Sequence, residues 1–325
     1  MQVTPMTHLA PSVPLPSLEA LSLVSGPHTH TALGAGPRNG ERVLLLHGWP
    51  EFADCWREIL TSLGAAGYRA VAVDQRGYAT NARPQDTASY AAGHLQSDAL
   101  AFADQLGAKR FHLIAHDWGG LVAWGLASAH PSRVSSLSVL ATPHPQALQA
   151  ALAHEEQQRR LDYVRFFRQP GGAAEQRLLA DGAAALRAVY AGRVPSSLVD
   201  ENVRRLREPG ALEATLNWYR ALPDDLSYPA GRIAVPTLYI WGTEDRALGR
   251  EAALLTGGFV DAPYRFEILE GASHWLPEEA PDRIIPMLLH HLAAAPVAWV
   301  LAPAKRSGTS DTRYVPTRQS CLLLS

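Results

Sequence analysis

FHLIAHDWGGLVAWGLA, residues 111–127, decides the fold. Phe111 to Ala115 is a short apolar run of the kind that forms a strand buried on both faces. From Gly119 the pattern turns helical, with Leu121, Val122, Trp124 and Leu126 available to pack. Between the two lies a tight corner, Ala115-His116-Asp117-Trp118-Gly119, which fits a sharp strand-to-helix turn that lifts one side chain above a sheet. Small residues flank such a corner because a Cβ there crowds the neighbouring strands. The residue lifted at the tip is an aspartate.

An aspartate at that position points to a particular chemistry. A serine that attacked a saturated carbon would form an ether, which the site could not hydrolyse. A carboxylate that attacks the same carbon forms an alkyl ester, whose own carbonyl is then open to water. Asp117 also needs no base to activate it, being ionised at neutral pH. The tip therefore suggests displacement at an sp3 carbon, on an epoxide or an alkyl halide. The competing reading is an aspartate serving as an ordinary helix N-cap.

Outward from the corner, strands alternate with helices. Residues 20–25 and 28–34 read as a hairpin across Gly26-Pro27, with His28 and His30 as surface residues; two histidines alone make a poor metal site. Strands follow at 42–46, 68–74, 111–115, 134–141, 235–242 and 264–270, with helices near 53–66, 91–107, 248–257 and 281–292. Cys55 is a small packing residue in the first of these helices, and His290 and His291 near the end of the last carry no catalytic role. This alternation predicts an α/β, doubly wound, mostly parallel sheet. From 144 to 229 the pattern changes to helices only, at 146–168, 173–191, 197–206 and 210–221, the signature of an inserted helical lid. The expected division is a flexible segment at 1–16, core at 17–143, lid at 144–229, core at 230–295 and an unstructured extension at 296–325.

Of the 325 residues 47% are hydrophobic and 18% charged, which suits one α/β core with a large insertion. A net charge of −2 argues against nucleic acid or an anionic membrane as partner. Cys55 and Cys321 fit free thiols in a reducing compartment, and no transmembrane run or signal peptide is evident, so a cytoplasmic location is expected. No cofactor or metal is called for, and the chain is expected to be a monomer or homodimer.

A nucleophile of this kind needs a base and an orienting acid from later strand ends, in the order Asp…Asp…His. Trp241-Gly242-Thr243-Glu244-Asp245 follows one strand and Ser273-His274-Trp275 follows the last, at the sheet edge where ligands meet such folds. Asp245 is preferred to Glu244 as the acid. Together HGWPE (47–51), DQRGY (74–78), HDWGG (116–120), WGTED (241–245) and SHWLPEEAP (273–281) resemble the epoxide hydrolases of the α/β-hydrolase fold. The likeness runs from about residue 20 to 295. DYVRFFRQPG (162–171) and LNWYRAL (216–222) resemble the two lid segments that carry that family's tyrosines.

The resemblance implies a role for each matched residue. Asp117 would be the nucleophile, His274 the base for the hydrolytic water, and Asp245 its orienting partner. Tyr163 and Tyr219 would donate to the epoxide oxygen. The N–H groups of Trp49 and Trp118 would form the oxyanion hole, and Pro50, His116 and Trp275 would line the pocket. The Trp49-Pro50 bond is expected to be cis, and His47 to support its loop. The substrate would be a small apolar epoxide, with water as co-substrate. A haloalkane dehalogenase is the enzymatic alternative, although Trp49 stands where many of those enzymes place a halide-cradling asparagine. Nor is Trp118 the arginine of a fluoroacetate-type site. A non-catalytic ligand-binding member of the fold is the remaining alternative.

Overall fold

A computed structural model describes residues 17–295. The expectations for residues 1–16 and 296–325, Cys321 included, fall outside them. The strands are β1 Glu19–Ser25, β2 His28–Ala35, β3 Arg42–Leu46, β4 Arg69–Val73, β5 Phe111–His116, β6 Val134–Leu140, β7 Thr237–Gly242 and β8 Tyr264–Leu269. They form one sheet in the order β1-β2-β4-β3-β5-β6-β7-β8. The β1–β2 hairpin and the β2–β4 pair are antiparallel, and every other pair is parallel.

Helices cover both faces, so the central strands are buried throughout: every residue of β4, β5, β6 and β7 is buried. The chain steps from β3 outward to β4, then returns to the opposite side of β3 as β5. The carboxyl ends of β3 and β5 thus flank the point where strand order reverses, the usual crevice for ligands in open α/β sheets. The loop Gly48-Trp49-Pro50 and the Asp117 corner meet there.

Between β6 and β7 the chain is helical, as expected, but more broken. The single helix foreseen at 146–168 is three short ones, Pro145–Ala151, Glu155–Arg160 and Asp162–Phe167. His154 and Leu161 leave the helical conformation at the breaks, and the turn at Leu161 lets Leu161, Val164 and Phe167 all face the core. The helix Ala173–Val189 is interrupted where Asp181, Gly182 and Ala183 take positive φ. Helices Ser196–Leu206 and Ala211–Arg220 complete the insertion. No helix among the described residues is long and apolar enough to cross a membrane.

One expectation of the hairpin is corrected. His30 is not a surface residue but fully buried. Its Nδ1 lies 3.0 Å from the Asp74 carbonyl and its ring meets Phe102 edge-on. The alternation that put His28 and His30 on one face did not reveal that the helix Ala92–Gln105 covers that face.

Candidate active site

The corner after β5 carries Asp117 at φ 49°, ψ −120°, in a region that a side chain enters only under strain. Its neighbours hold it there. Thr142 Oγ1 donates to the Asp117 carbonyl at 2.8 Å, and Gly119 N–H donates to the His47 carbonyl at 3.1 Å. Two glycines make the approach feasible. A Cβ on Gly48 would stand 2.3 Å from the Asp117 Cβ, and one on Gly119 would stand 2.3 Å from the Leu46 carbonyl oxygen. The small residues flanking the corner are therefore a matter of contact distance. Ala115, buried completely, is accommodated without a glycine.

Three loops deliver the remaining groups. His274 Nε2 lies 3.3 Å from Asp117 Oδ2, and its Nδ1 lies 2.8 Å from Asp245 Oδ2. Asp245 is fixed in turn, its Oδ1 accepting from the N–H groups of Ala247 and Leu248 at 2.8 and 2.9 Å. Arg160 also donates to the Asp245 carbonyl at 2.6 Å. Glu244, the rival acid, is exposed and paired with Arg193, so Asp245 alone meets the histidine. Trp49 N–H donates to Asp117 Oδ1 at 2.8 Å, and the Trp49-Pro50 bond is cis.

The charges in this group support one another. Burial acts to raise the Asp117 carboxyl, but hydrogen bonding and attraction from His274, the charge of His116 and the Trp49 N–H outweigh it and hold it below its ordinary value. Burial acts to lower His274, and the carboxylates of Asp245 and Asp117 outweigh it, raising the imidazole well above its ordinary value. Both shifts favour an imidazolium at His274 between the two carboxylates.

Above Asp117 stand the two tyrosines of the insertion. Tyr219, on the helix Ala211–Arg220, is 3% exposed, and Tyr163 is more open at 37%. Their rings cross at 76° with centroids 6.2 Å apart. The Trp118 and Tyr219 rings meet edge-on with centroids 4.8 Å apart. Burial, foremost, raises both phenols far above their ordinary value, so both stay protonated. Two chambers meet at this point. A larger one of about 290 Å³ is lined by Trp49, Phe167, Val189, His274 and Trp275, and a smaller one of about 60 Å³ by Leu121, Leu148, Leu161, Val164 and Leu248. Asp117, Tyr163 and Tyr219 line both.

A sequence profile of the α/β hydrolase fold matches residues 41–281. The chain belongs to the α/β-hydrolase family. Among relatives of this α/β hydrolase, the AB hydrolase superfamily protein YfhM of Bacillus subtilis is 34% identical over 79% of this chain and 92% of its own. Epoxide hydrolase A of Mycobacterium tuberculosis is 31% identical over 79% of this chain and 92% of its own. A solved structure from hot-environment metagenomes, described as one of several novel epoxide hydrolases, is 28% identical. It superposes with a TM-score of 0.75, covering 85% of this chain and 98% of that one.

Of the pocket residues expected from sequence, Trp275 lines the larger chamber of this hydrolase, but Pro50 and His116 line neither. Pro50 faces the insertion and accepts from the Tyr190 hydroxyl at 2.7 Å. His116 lies behind the corner, fully buried, its Nδ1 2.9 Å from Glu51 and its Nε2 2.8 Å from the His274 carbonyl. The strand alternation that lifts Asp117 above the sheet edge turns its neighbour away from the cavity. His47 supports its loop: Nδ1 contacts the Gly48 carbonyl at 2.8 Å, while Nε2 accepts from Gln75 N–H at 3.2 Å. Burial, foremost, lowers this imidazole, keeping it neutral. Arg160 and Thr142 went unnoticed in the sequence. Neither sits in a quoted catalytic motif, and each acts on a backbone carbonyl, a contact that no residue pattern announces.

Proposed function

We propose that the chain hydrolyses epoxides to vicinal diols through an alkyl ester on Asp117. The observation that carries this reading is the pair of protonated tyrosines lining the cavity beside the nucleophile. An opening epoxide releases an alkoxide, a very poor leaving group unless it receives a proton, and Tyr163 and Tyr219 are placed to give one. Asp117 attacks one ring carbon, the C–O bond breaks towards oxygen, and that oxygen takes a tyrosine proton. The His274 imidazolium passes its proton to the tyrosinate, and the neutral ring then deprotonates the water that attacks the ester carbonyl. The oxyanion that forms is held by the N–H groups of Trp49 and Trp118, the first of which already lies on Asp117 Oδ1. Collapse expels the alkoxide, which takes the proton from His274 to complete the diol, and the Asp117 carboxyl returns its own proton to His274. Within this reading residues 144–229 are the lid, carried on a core of 17–143 and 230–295. The names of the relatives agree with the assignment.

Alkyl halides suit the site less well. Halide departs without a proton and is recognised by free N–H dipoles. Here the Trp49 indole N–H is spent on Thr215 Oγ1 at 3.2 Å, and the Trp118 ring packs edge-on against Tyr219.

Replacing His274 with Gln tests the mechanism. The variant should consume about one equivalent of epoxide and stop, gaining the mass of one substrate on Asp117. A single wild-type turnover in labelled water should give unlabelled diol, because the first oxygen delivered comes from the carboxylate. Label in that first diol, or an adduct on another residue, refutes the ester mechanism. Release of halide from haloalkanes without diol from any epoxide would give the site to dehalogenation, and turnover of neither would leave a binding protein.

A further inference from the structure

Behind the catalytic corner lies a second group of titratable side chains that the mechanism does not use. Glu51, in the loop after β3, is fully buried. Its Oε2 lies 2.9 Å from His116 Nδ1 and 3.4 Å from Gly48 N, whereas its Oε1 meets no donor. Glu278, two residues into the short helix Leu276–Glu279 that follows His274, also buries both carboxylate oxygens without a donor. An oxygen of Glu51, an oxygen of Glu278 and the Cys55 sulfur all lie within 4.8 Å of one another.

Two buried carboxylates facing each other with no cation between them do not both ionise. The environment decides which keeps its charge. His116 stands on the Glu51 side, its ring nitrogens meeting the Glu51 carboxylate and the His274 carbonyl at 2.9 and 2.8 Å. Glu278 has no such partner: facing it are Glu51, Cys55, Glu279 on its own helix and the Tyr190 hydroxyl, all neutral or negative. The groove beside it is lined by Asp54, Glu58, Glu201 and Arg57.

We propose that Glu51 and Glu278 share one proton, held on Glu278, and that this acid–carboxylate pair makes Glu278 a positioning residue for His274. This rests on the reading of His274 as the hydrolytic base. The connection is a continuous line of contacts: Glu278 to Glu51, Glu51 to His116, His116 to the backbone carbonyl of His274. The directions of the two carboxyls agree with the assignment. Burial and the neighbouring Glu51 charge push Glu278 well above the carboxylate range; burial also acts to raise Glu51, but His116 outweighs it and holds Glu51 low.

The sign of the pH effect follows. Above the ordinary glutamate value the folded chain keeps a proton that the unfolded chain has released. Stability therefore falls as pH rises from that value to the raised one. Glu278→Gln offers Glu51 an amide N–H yet cannot ionise, so it should remove this fall; Glu278→Leu removes the donor altogether. Infrared difference spectra between wild type and E278Q at neutral pH should show the carbonyl stretch of a protonated carboxylic acid, present only in the wild type. Plotted against pH, the wild-type melting temperature should drop below that of E278Q on the alkaline side. With an epoxide that wild type turns over, E278Q should keep ester hydrolysis within about threefold, while E278L should slow it about tenfold and spare alkylation. No carboxylic acid band, or parallel melting curves, overturns the shared proton. Zinc binding by EDTA-treated protein at one equivalent, lost in Cys55→Ser, would instead make the cluster a cation site and equally overturns it. Equal slowing of both half-reactions in E278L overturns the positioning role. Should wild type turn over no epoxide, the proposed function fails while the infrared and melting arms still decide the proton.

Discussion

Asp117 and His274 each hold the other in its charged form, and this reciprocity gives the proposed reaction its timing. Alkylation converts the Asp117 carboxylate into a neutral ester. The imidazolium then loses one of its two counter-charges, and His274 releases its proton more readily once a base is required. Asp117→Asn imitates that ester without substrate. In this variant the His274 ring should titrate at lower pH than in wild type, followed by histidine NMR; an unchanged titration would show that Asp245 alone sets the charge. The same pair affects stability with opposite signs. The raised imidazole stabilises the fold below its ordinary value of 6.5, an effect lost as pH climbs through the raised one. The lowered Asp117 stabilises above its ordinary value of 3.8, an effect lost as pH falls through the lowered one. The tyrosines give a second residue-scale prediction. Tyr163→Phe and Tyr219→Phe should each slow alkylation in single-turnover assays, and the double variant should lose about 10²–10⁴-fold. The single losses should not sum, because both hydroxyls serve one oxygen. Parental alkylation by a folded double variant would remove the proton donor from the mechanism.

At the scale of elements, the tyrosines are useful only if the helices that bear them stay over the core, and buried polar clamps hold them there. Arg205 reaches from the helix Ser196–Leu206 to Asp74 at 2.6 Å and Asp54 at 3.3 Å, with its guanidinium 3.7 Å above the centre of the Phe52 ring. The Trp218 indole N–H donates to the Arg76 carbonyl at 2.8 Å, and Arg76 forms a buried two-point pair with Asp98. The motif DQRGY thus has a structural use: Asp74, Gln75 and Arg76 anchor the insertion or the His47 loop. Its residues were legible as a resemblance, but their partners were not, since Arg205 lies 131 positions from Asp74. Arg205→Met should lower unfolding stability by roughly 3 kcal/mol, because it strands a buried carboxylate. Arg205→Lys should recover less than half of that, because an ammonium cannot span two carboxylates while stacked on a ring. Urea titration distinguishes the two, and equal midpoints for wild type and Arg205→Met would show the clamp to be idle.

Across the whole molecule, the strands, their alternation with helices and the grouping of Asp117, Asp245 and His274 were legible, because burial on both faces writes apolar runs and the candidate residues follow strand ends. The breaks at His154 and Leu161 were not, since neither carries proline or glycine; Leu161 turns into the core, while exposed His154 faces Glu251 at 3.0 Å. The shape of the cavity was equally hidden, because it arises where the insertion meets the sheet. Its two unequal chambers, about 290 and 60 Å³, meet at Asp117 and the tyrosines. An epoxide bound with its ring at that junction has room for one large substituent and one small one. Terminal epoxides and those with a short second alkyl arm should therefore be preferred to epoxides with two bulky arms. Leu148, on the helix Pro145–Ala151, lines only the smaller chamber. Leu148→Phe should fill it. A hydrophobic pocket distinguishes one methylene by about 10–200-fold, so kcat/KM for an epoxide with a short second arm should fall at least about tenfold. That for the matching terminal epoxide should stay within about threefold, since it leaves the small chamber empty. Equal losses on both substrates would mean that the phenylalanine disturbs the tyrosines or the nucleophile, and that the small chamber takes no part in choosing the substrate.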